Sequence, residues 1–244
     1  MVNFWKLVDS VIAEADIILM VVDARVIEQT RNDEIEKKVA ASGKTLITVI
    51  NKCDLVEKDV LEKYKKRLYP CVFVSAQKFY GMTLLRQMIL KQSKGRAVTV
   101  GVVGYPNTGK SSVINALKGK SSAGVSSVSG YTVGKQNIKI DNKIRVIDTP
   151  GVLSVSDDKA SSKLMITASR TDSKNPDLVA YELLKSHRAS LMEYYGVEDQ
   201  GEDEEELLEL IARKLNRFRS GGVPDTETTA KMILQDWQKG KILL

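Results

Sequence analysis

Apolar and polar positions fall into two regimes along the chain. Through residue 150, short branched apolar runs alternate with charged segments. Runs over 16–23, 45–50, 71–75 and 98–103 predict strands. The unbroken apolar stretch from Ile17 to Val22 has the pattern of a strand covered on both faces. Between them, 31–41, 58–68, 81–91 and 110–118 predict helices, with Leu84, Leu85, Met88 and Ile89 expected on one stripe of the third. Residues 135–140 and 143–147 predict a hairpin turned at Asp141 and Asn142. Strands alternating with helices define an α/β fold with a mainly parallel sheet.

The pattern changes after Gly151. Residues 152–174 are rich in Ser, Asp and Lys and predict a connector. From Asn175 onward the signals are helical only. Pro176 suits the first position of a helix and Gly196 its end. A second helix is expected over 204–218, acidic at its start and basic at its end as the helix dipole favours. Asp225 is placed to cap a third, ending near Gly240. The expected organisation is an α/β domain over 1–155, a connector over 156–174 and an all-helical domain over 175–244.

Composition narrows the classes. The 244 residues are 43% hydrophobic and 28% charged, enough for a core and a hydrated surface. No run approaches the roughly 20 apolar residues that span a bilayer, and the N-terminus carries no leader pattern. A cytoplasmic chain without a membrane partner is expected, and a monomer. Cys53 and Cys71 read as two buried or half-buried thiols, and with one histidine they build no metal cluster. The net charge of +6 is uneven: from Asp172 onward 10 basic and 15 acidic residues give −5, leaving +11 before it. A basic body of that kind suits a polyanionic partner.

Four short strings carry chemistry. Gly104-Tyr-Pro-Asn-Thr-Gly-Lys-Ser111 follows a strand and opens a helix, the context of a phosphate-binding loop. Asn107, Thr108, Gly109, Lys110, Ser111 and Ser112 are its candidate ligand residues. Backbone N–H groups and the helix N-terminus favour phosphate, Lys110 would reach the β- and γ-phosphates, and the Ser111 hydroxyl would hold Mg2+. Asp148-Thr-Pro-Gly151 ends a later strand. Asp148 is placed to support the Mg2+ water shell, and the Gly151 N–H to sense the γ-phosphate. Asn51-Lys52-Cys53-Asp54 ends another strand. The Asp54 carboxylate can accept from the N1–H and N2–H2 edge of guanine, a donor pair that adenine lacks, and the Lys52 stem can lie along the ring. Ser75-Ala76-Gln77 follows a further strand, where the Ala76 N–H could meet guanine O6. All four stand at the carboxyl ends of predicted parallel strands, where open α/β sheets bind ligands.

Taken together, the strings resemble the nucleotide boxes of the translation-factor-related GTPases. Here NKCD and SAQ precede GYPNTGKS and DTPG. That order resembles the circularly permuted GTPases linked to ribosome assembly, of the YlqF/YawG type. Asp23-Ala-Arg25 resembles a triplet of that group, and Arg217 to Asp225 with the segment ending at Gly240 resembles its C-terminal domain. The resemblance implies a P-loop GTPase fold with permuted strand order and a helical C-terminal domain. It implies GTP and GDP as ligands, Mg2+ as cofactor, and a large-ribosomal-subunit precursor with its rRNA as partner. Ser129-Gly-Tyr-Thr132 resembles the family's G-x-T box and makes Thr132 a candidate second Mg2+ ligand. Asn107 matches a position that binds K+ in potassium-dependent relatives. Lys110, Thr132 and Gly151 are thus the candidate catalytic residues, with Ser111, Thr132, Asp148 and Asn107 as candidate metal ligands.

Two features temper that picture. Val152 stands where small GTPases carry a water-positioning glutamine, and an apolar side chain cannot orient water. The single histidine, His187, is far along the chain and reads as a surface or capping residue. Slow hydrolysis stimulated by a partner is therefore expected. Candidate RNA contacts are Lys58, Lys63, Lys65, Lys66 and Arg67, and the Arg213, Lys214, Arg217, Arg219 cluster. Two alternatives stay open: a regulatory switch with a protein effector, expected to show an apolar groove in the helical domain, and a P-loop phosphotransferase, which would have little need for NKCD.

Overall fold

The computed structural model describes residues 4–119, 136–148 and 175–243. The chain divides into two compact units, Met1–Ser156 and Asp157–Leu244. The expected connector over 156–174, the loop carrying Thr132, and Gly151 lie outside the described residues.

The first unit is built on a mixed six-stranded sheet: β1 (Ile17–Asp23), β2 (Thr45–Asn51), β3 (Cys71–Phe73), β4 (Val98–Val103), β5 (Gln136–Lys139) and β6 (Ile144–Asp148). Their spatial order is β3-β2-β1-β4-β6-β5. All neighbours are parallel except the β5–β6 hairpin. Ile17 faces Thr45 on one side and Val100 on the other, which puts β1 at the centre.

The alternation of side chains along β1 explains its unbroken apolar run. Ile17, Leu19 and Val21 pack on one face with Leu85 and Ile89 of α5 (Met82–Gln92) and Val113 and Ile114 of α6 (Lys110–Lys118). Ile18, Met20 and Val22 pack on the other. Their partners there come from α1 (Phe4–Glu14), α3 (Asp33–Ala41) and α4 (Lys58–Arg67), with the short α2 (Ile27–Thr30) following β1. Each fully buried Leu or Ile of this kind contributes about 1.5–3 kcal/mol, so both faces of β1 are fixed in register.

Several expectations need correction. Helix α1 is unanticipated, although Val8, Val11, Ile12 and Ala15 recur at helical spacing and are buried. Leu84 leaves the predicted stripe: it is exposed, and α5 turns Met82, Leu85 and Ile89 inward instead. Strand β3 stops at Phe73 because Ser75 turns back to exchange backbone hydrogen bonds with Tyr80.

The second unit is helical: α7 (Pro176–Ser186), α8 (Arg188–Tyr195), α9 (Glu204–Lys214) and α10 (Thr226–Gln238). The expected single helix from Pro176 to Gly196 is broken at His187. That residue ends α7, precedes α8, and stacks on Trp237 with ring centroids 4.8 Å apart. Helix α9 ends at Lys214 rather than 218, because Asn216 takes a left-handed backbone and Phe218 pairs with Pro224. Asp203 and Asp225 cap α9 and α10 by accepting from Glu206 N and Thr228 N. Among the described residues no helix is long and apolar enough to cross a membrane.

Candidate functional site

The strand order reverses between β1 and β4, and the candidate residues gather at that switch point. Asp23 ends β1, Asn51 ends β2, Asp148 ends β6, and the loop 104–109 leads from β4 into α6. A crevice at the carboxyl ends of parallel strands, where the order reverses, is where such sheets hold ligands.

The loop has a backbone that few sequences can follow. Gly104, Asn107 and Gly109 all take positive φ, at 142°, 59° and 92°. A side chain at 104 would put its Cβ 2.5 Å from the Val21 carbonyl oxygen, and one at 109 would sit 2.2 Å from Asn51 Nδ2. Glycine is therefore required by both conformation and space. Within the loop, the Tyr105 carbonyl accepts from Thr108 Oγ1 at 3.0 Å and from Lys110 Nζ at 2.7 Å. Lys110 is buried, and that burial lowers its pKa to about 8, with Asp148 working the other way. A buried ammonium beside the loop backbone is suited to meet an anionic oxygen. Ser111 and Ser112 are exposed at the start of α6, and Asn107 is exposed on the loop.

The NKCD string is bound into the loop. Asn51 is buried; its Nδ2 donates to the Thr108 carbonyl at 2.8 Å and its Oδ1 accepts from Ala76 N at 3.1 Å. One carboxamide thus joins the phosphate loop to the Ser75-Ala76 segment. The Ala76 N–H, expected on guanine O6, is engaged by Asn51 in this structure. Asp54 pairs with Lys78 at 3.1 Å. Burial opposes ionisation of Asp54, but hydrogen bonds from Ser75 and Lys78 prevail and hold its carboxyl below the usual range. An ionised carboxylate only accepts hydrogen bonds, as recognition of a donor pair needs. Cys53 is buried; burial first and Asp54 second push its thiol up to about 11, so it stays an inert packing residue. Cys71 is half-buried, and both thiols are free.

A third layer was legible only as the Asp23-Ala-Arg25 triplet. Asp23 is buried and holds two cations: Arg25 Nη2 and Lys52 Nζ each lie 2.8 Å from its Oδ2. Burial works against this carboxylate, yet Lys52 and Arg25 hold its pKa well below the ordinary carboxylate range. Farther along, Asn32 caps α3 and donates from Nδ2 to the Tyr105 hydroxyl at 3.1 Å. Nothing local in the sequence ties Asn32 to the loop 73 residues away.

A Mg2+ ion is a hard cation that takes oxygen ligands and retains water. The Asp148 carboxylate, buried beside Lys110, and the Ser111 hydroxyl fit that preference. Among the described residues no group of three or more His, Cys, Asp or Glu could hold a metal. Such an ion would lean on nucleotide phosphates for the rest of its shell.

This geometry defines a P-loop guanine-nucleotide-binding protein whose NKCD and SAQ strings precede its phosphate loop. Comparison with known proteins makes the class specific. Residues 5–157 match the family model described as RsgA GTPase, and residues 99–217 match the 50S ribosome-binding GTPase model. The chain belongs to the circularly permuted ribosome-assembly GTPases. It is 44% identical to an uncharacterized GTP-binding protein of Methanocaldococcus jannaschii, over 97% of this chain and 65% of that one. It is 35% identical to Nuclear/nucleolar GTPase 2 of Oryza sativa subsp. japonica, over 98% of this chain and 47% of the other. The chain therefore spans about half to two thirds of the length of these relatives. Its fold is that of GNP-bound YlqF from T. maritima, with a TM-score of 0.66 at 22% identity, covering 98% of this chain and 94% of that one.

Proposed function

We propose that the chain binds GTP and GDP with Mg2+, hydrolyses GTP slowly, and acts as a switch on a large-ribosomal-subunit precursor by contacting its rRNA. The observation that carries the nucleotide reading is the Asn51 bridge. It ties the phosphate loop to the strand end that leads into Asp54, whose carboxyl is held below the usual range. Lys110 neutralises the β- and γ-phosphates, with Asn107, Thr108, Gly109 and Ser112 around them. Ser111, Asp148 and Thr132 hold Mg2+. Asp54 and Lys52 select and support guanine beside Ser75 and Ala76. Gly151 senses the γ-phosphate, and Asn107 would hold a K+ ion able to supply positive charge near the phosphates.

Support for the ribosomal partner is of two kinds. One family model bears the description 50S ribosome-binding GTPase, and a relative is named a nuclear/nucleolar GTPase. The second is charge. On α4, Lys58, Lys63 and Lys66 are exposed and have no ion pair among the described residues, whereas Lys65 pairs with Glu62 and Arg67 with Glu28. The C-terminal cluster is weaker, since Arg213 pairs with Glu209 and Arg219 with Asp225 and Glu227. The α4 lysines are the better phosphate contacts.

A second reading, a protein effector, is favoured by one feature. An apolar groove of about 760 Å3 lies beside the edge strand β3, lined by Leu61 of α4, Phe73, Tyr80 and Leu84 and Met88 of α5. It lies in the α/β unit rather than the helical one where such a groove was expected.

The test is GTP hydrolysis in potassium buffer with and without purified large ribosomal subunits. Strong stimulation by the large subunit supports the first reading. Tight nucleotide binding without stimulation favours the effector.

A further inference from the structure

The Lys52 side chain has four rotatable bonds and no reason of its own to lie in one place. Its backbone is left-handed, at φ 62°, and its side chain is only one-fifth exposed. What fixes it is the ion pair with Asp23, a residue of a different strand.

Asp23 is itself held on every side. Its backbone N–H donates to Thr30 Oγ1 at 3.0 Å, and that hydroxyl donates to the Val26 carbonyl at 2.8 Å. Its Oδ1 accepts from Arg25 N at 3.1 Å and Arg25 Nε at 3.0 Å, and its Oδ2 from Arg25 Nη2. A guanidinium fork holds a carboxylate in one orientation. Oδ2 is then shared between the Arg25 fork and the Lys52 ammonium, and both cations are drawn to the end of β1. A structural ion pair needs only one cation. The second belongs to the string that selects the base.

We propose that Asp23, oriented by Arg25, is the positioning residue of the guanine box: it anchors the Lys52 ammonium so that the lysine stem stands as a preset platform for the base. This rests on reading Asn51 to Asp54 as the guanine box. Asp23 touches no nucleotide and acts only through Lys52. Preorganising a flexible lysine removes an ordering cost from nucleotide binding.

The test is a double-mutant cycle on the full chain, read as the Kd of a fluorescent GDP analogue. Asp23→Asn should weaken GDP about tenfold, the scale of a misplaced binding group. Lys52→Met, which leaves the Asp23–Arg25 pair intact, should do the same. The double variant should be no weaker than Lys52→Met alone. If Asp23→Asn does not fold, Asp23→Glu serves in its place. It keeps both cations paired but shifts the carboxylate by a methylene, and GDP affinity should fall at least about threefold without loss of thermal stability. A Kd within twofold of wild type in the folded Asp23 variant overturns the proposal. So does an equal loss in the Lys52→Met background, since Asp23 would then act by another route. Wild-type protein that binds ADP as well as GDP removes the guanine-box reading and this proposal with it. A clear GDP preference with an indifferent Asp23 removes this proposal alone.

Discussion

Asn51 Nδ2 and the Thr108 carbonyl oxygen meet at 2.8 Å, joining the end of β2 to a loop 57 residues later in the chain. The same carboxamide accepts from Ala76 N. Asn51→Ala would strand both groups in a buried place, at a cost of about 1–3 kcal/mol for each. Equilibrium denaturation should show a loss of about 2–6 kcal/mol, and GDP dissociation should accelerate. Asn51→Asp keeps the shape but turns an acceptor toward the Thr108 carbonyl, so its dissociation should be equally fast. If either variant holds GDP like wild type, the bridge does not couple the two strings.

The same contact explains a requirement at Gly109. Its φ of 92° is strained for any side chain, and an added Cβ would lie 2.2 Å from Asn51 Nδ2. Gly109→Ala should push Asn51 off Thr108 and cost about 1–3 kcal/mol in backbone strain alone. GDP binding should be lost in isothermal titration while circular dichroism retains the helical signal. Gly119 has a similar φ of 89° but open space around its would-be Cβ, so Gly119→Ala carries the backbone strain without the clash and is the control for it.

What the sequence disclosed followed from the range of each interaction. The strands of the sheet and the box residues at their ends were readable because periodicity and loop chemistry are local. Ile17 to Val22 alone implied a strand covered on both faces, and the alternation in β1 bears this out. Leu84 was misplaced because a pattern shows which residues are apolar but not how far an edge strand is covered. The expected helix from Pro176 ran through His187 because no glycine or proline marks the break there. The Asn32–Tyr105 and Asp23–Lys52 contacts were out of reach, since polar pairing across strands has no period.

The proposed role of Lys110 at the phosphates predicts that nucleotide binding is linked to a proton. Burial lowers its pKa to about 8, below the ordinary 10.5. In the unfolded chain the lysine keeps the higher value, so it binds more protons there between pH 8 and 10.5, and stability rises with pH across that window. Phosphate has the opposite sign: it favours the ammonium and raises the bound-state pKa. Affinity for GDP should be full below pH 8 and fall as pH rises through it. Titration calorimetry in buffers of different ionisation enthalpy at pH 8.5 should register proton uptake. Lys110→Ala removes this component and leaves only the titration of the base. A wild-type pH profile parallel to that of Lys110→Ala would show that Lys110 does not meet the phosphates.

The α4 lysines separate the two partner readings. Lys58, Lys63 and Lys66 are exposed and extend from the edge of the sheet on a helix that carries few acids to neutralise them. If they meet RNA phosphates, each displaces condensed counterions, and log affinity falls with log salt by about 0.7–0.9 per contact. Reversing all three to Glu should reduce that slope by at least about 2 for purified large subunits. GDP affinity should not change, because none of the three lies in the nucleotide boxes. Surface charge reversals away from the core cost little stability, so the variant should remain folded. The readout is subunit co-sedimentation between 50 and roughly 200 mM salt, the range over which such contacts lose most of their strength. An unchanged slope would take α4 out of the RNA interface. It would leave the apolar groove beside β3 as the surface through which this edge of the sheet meets a partner.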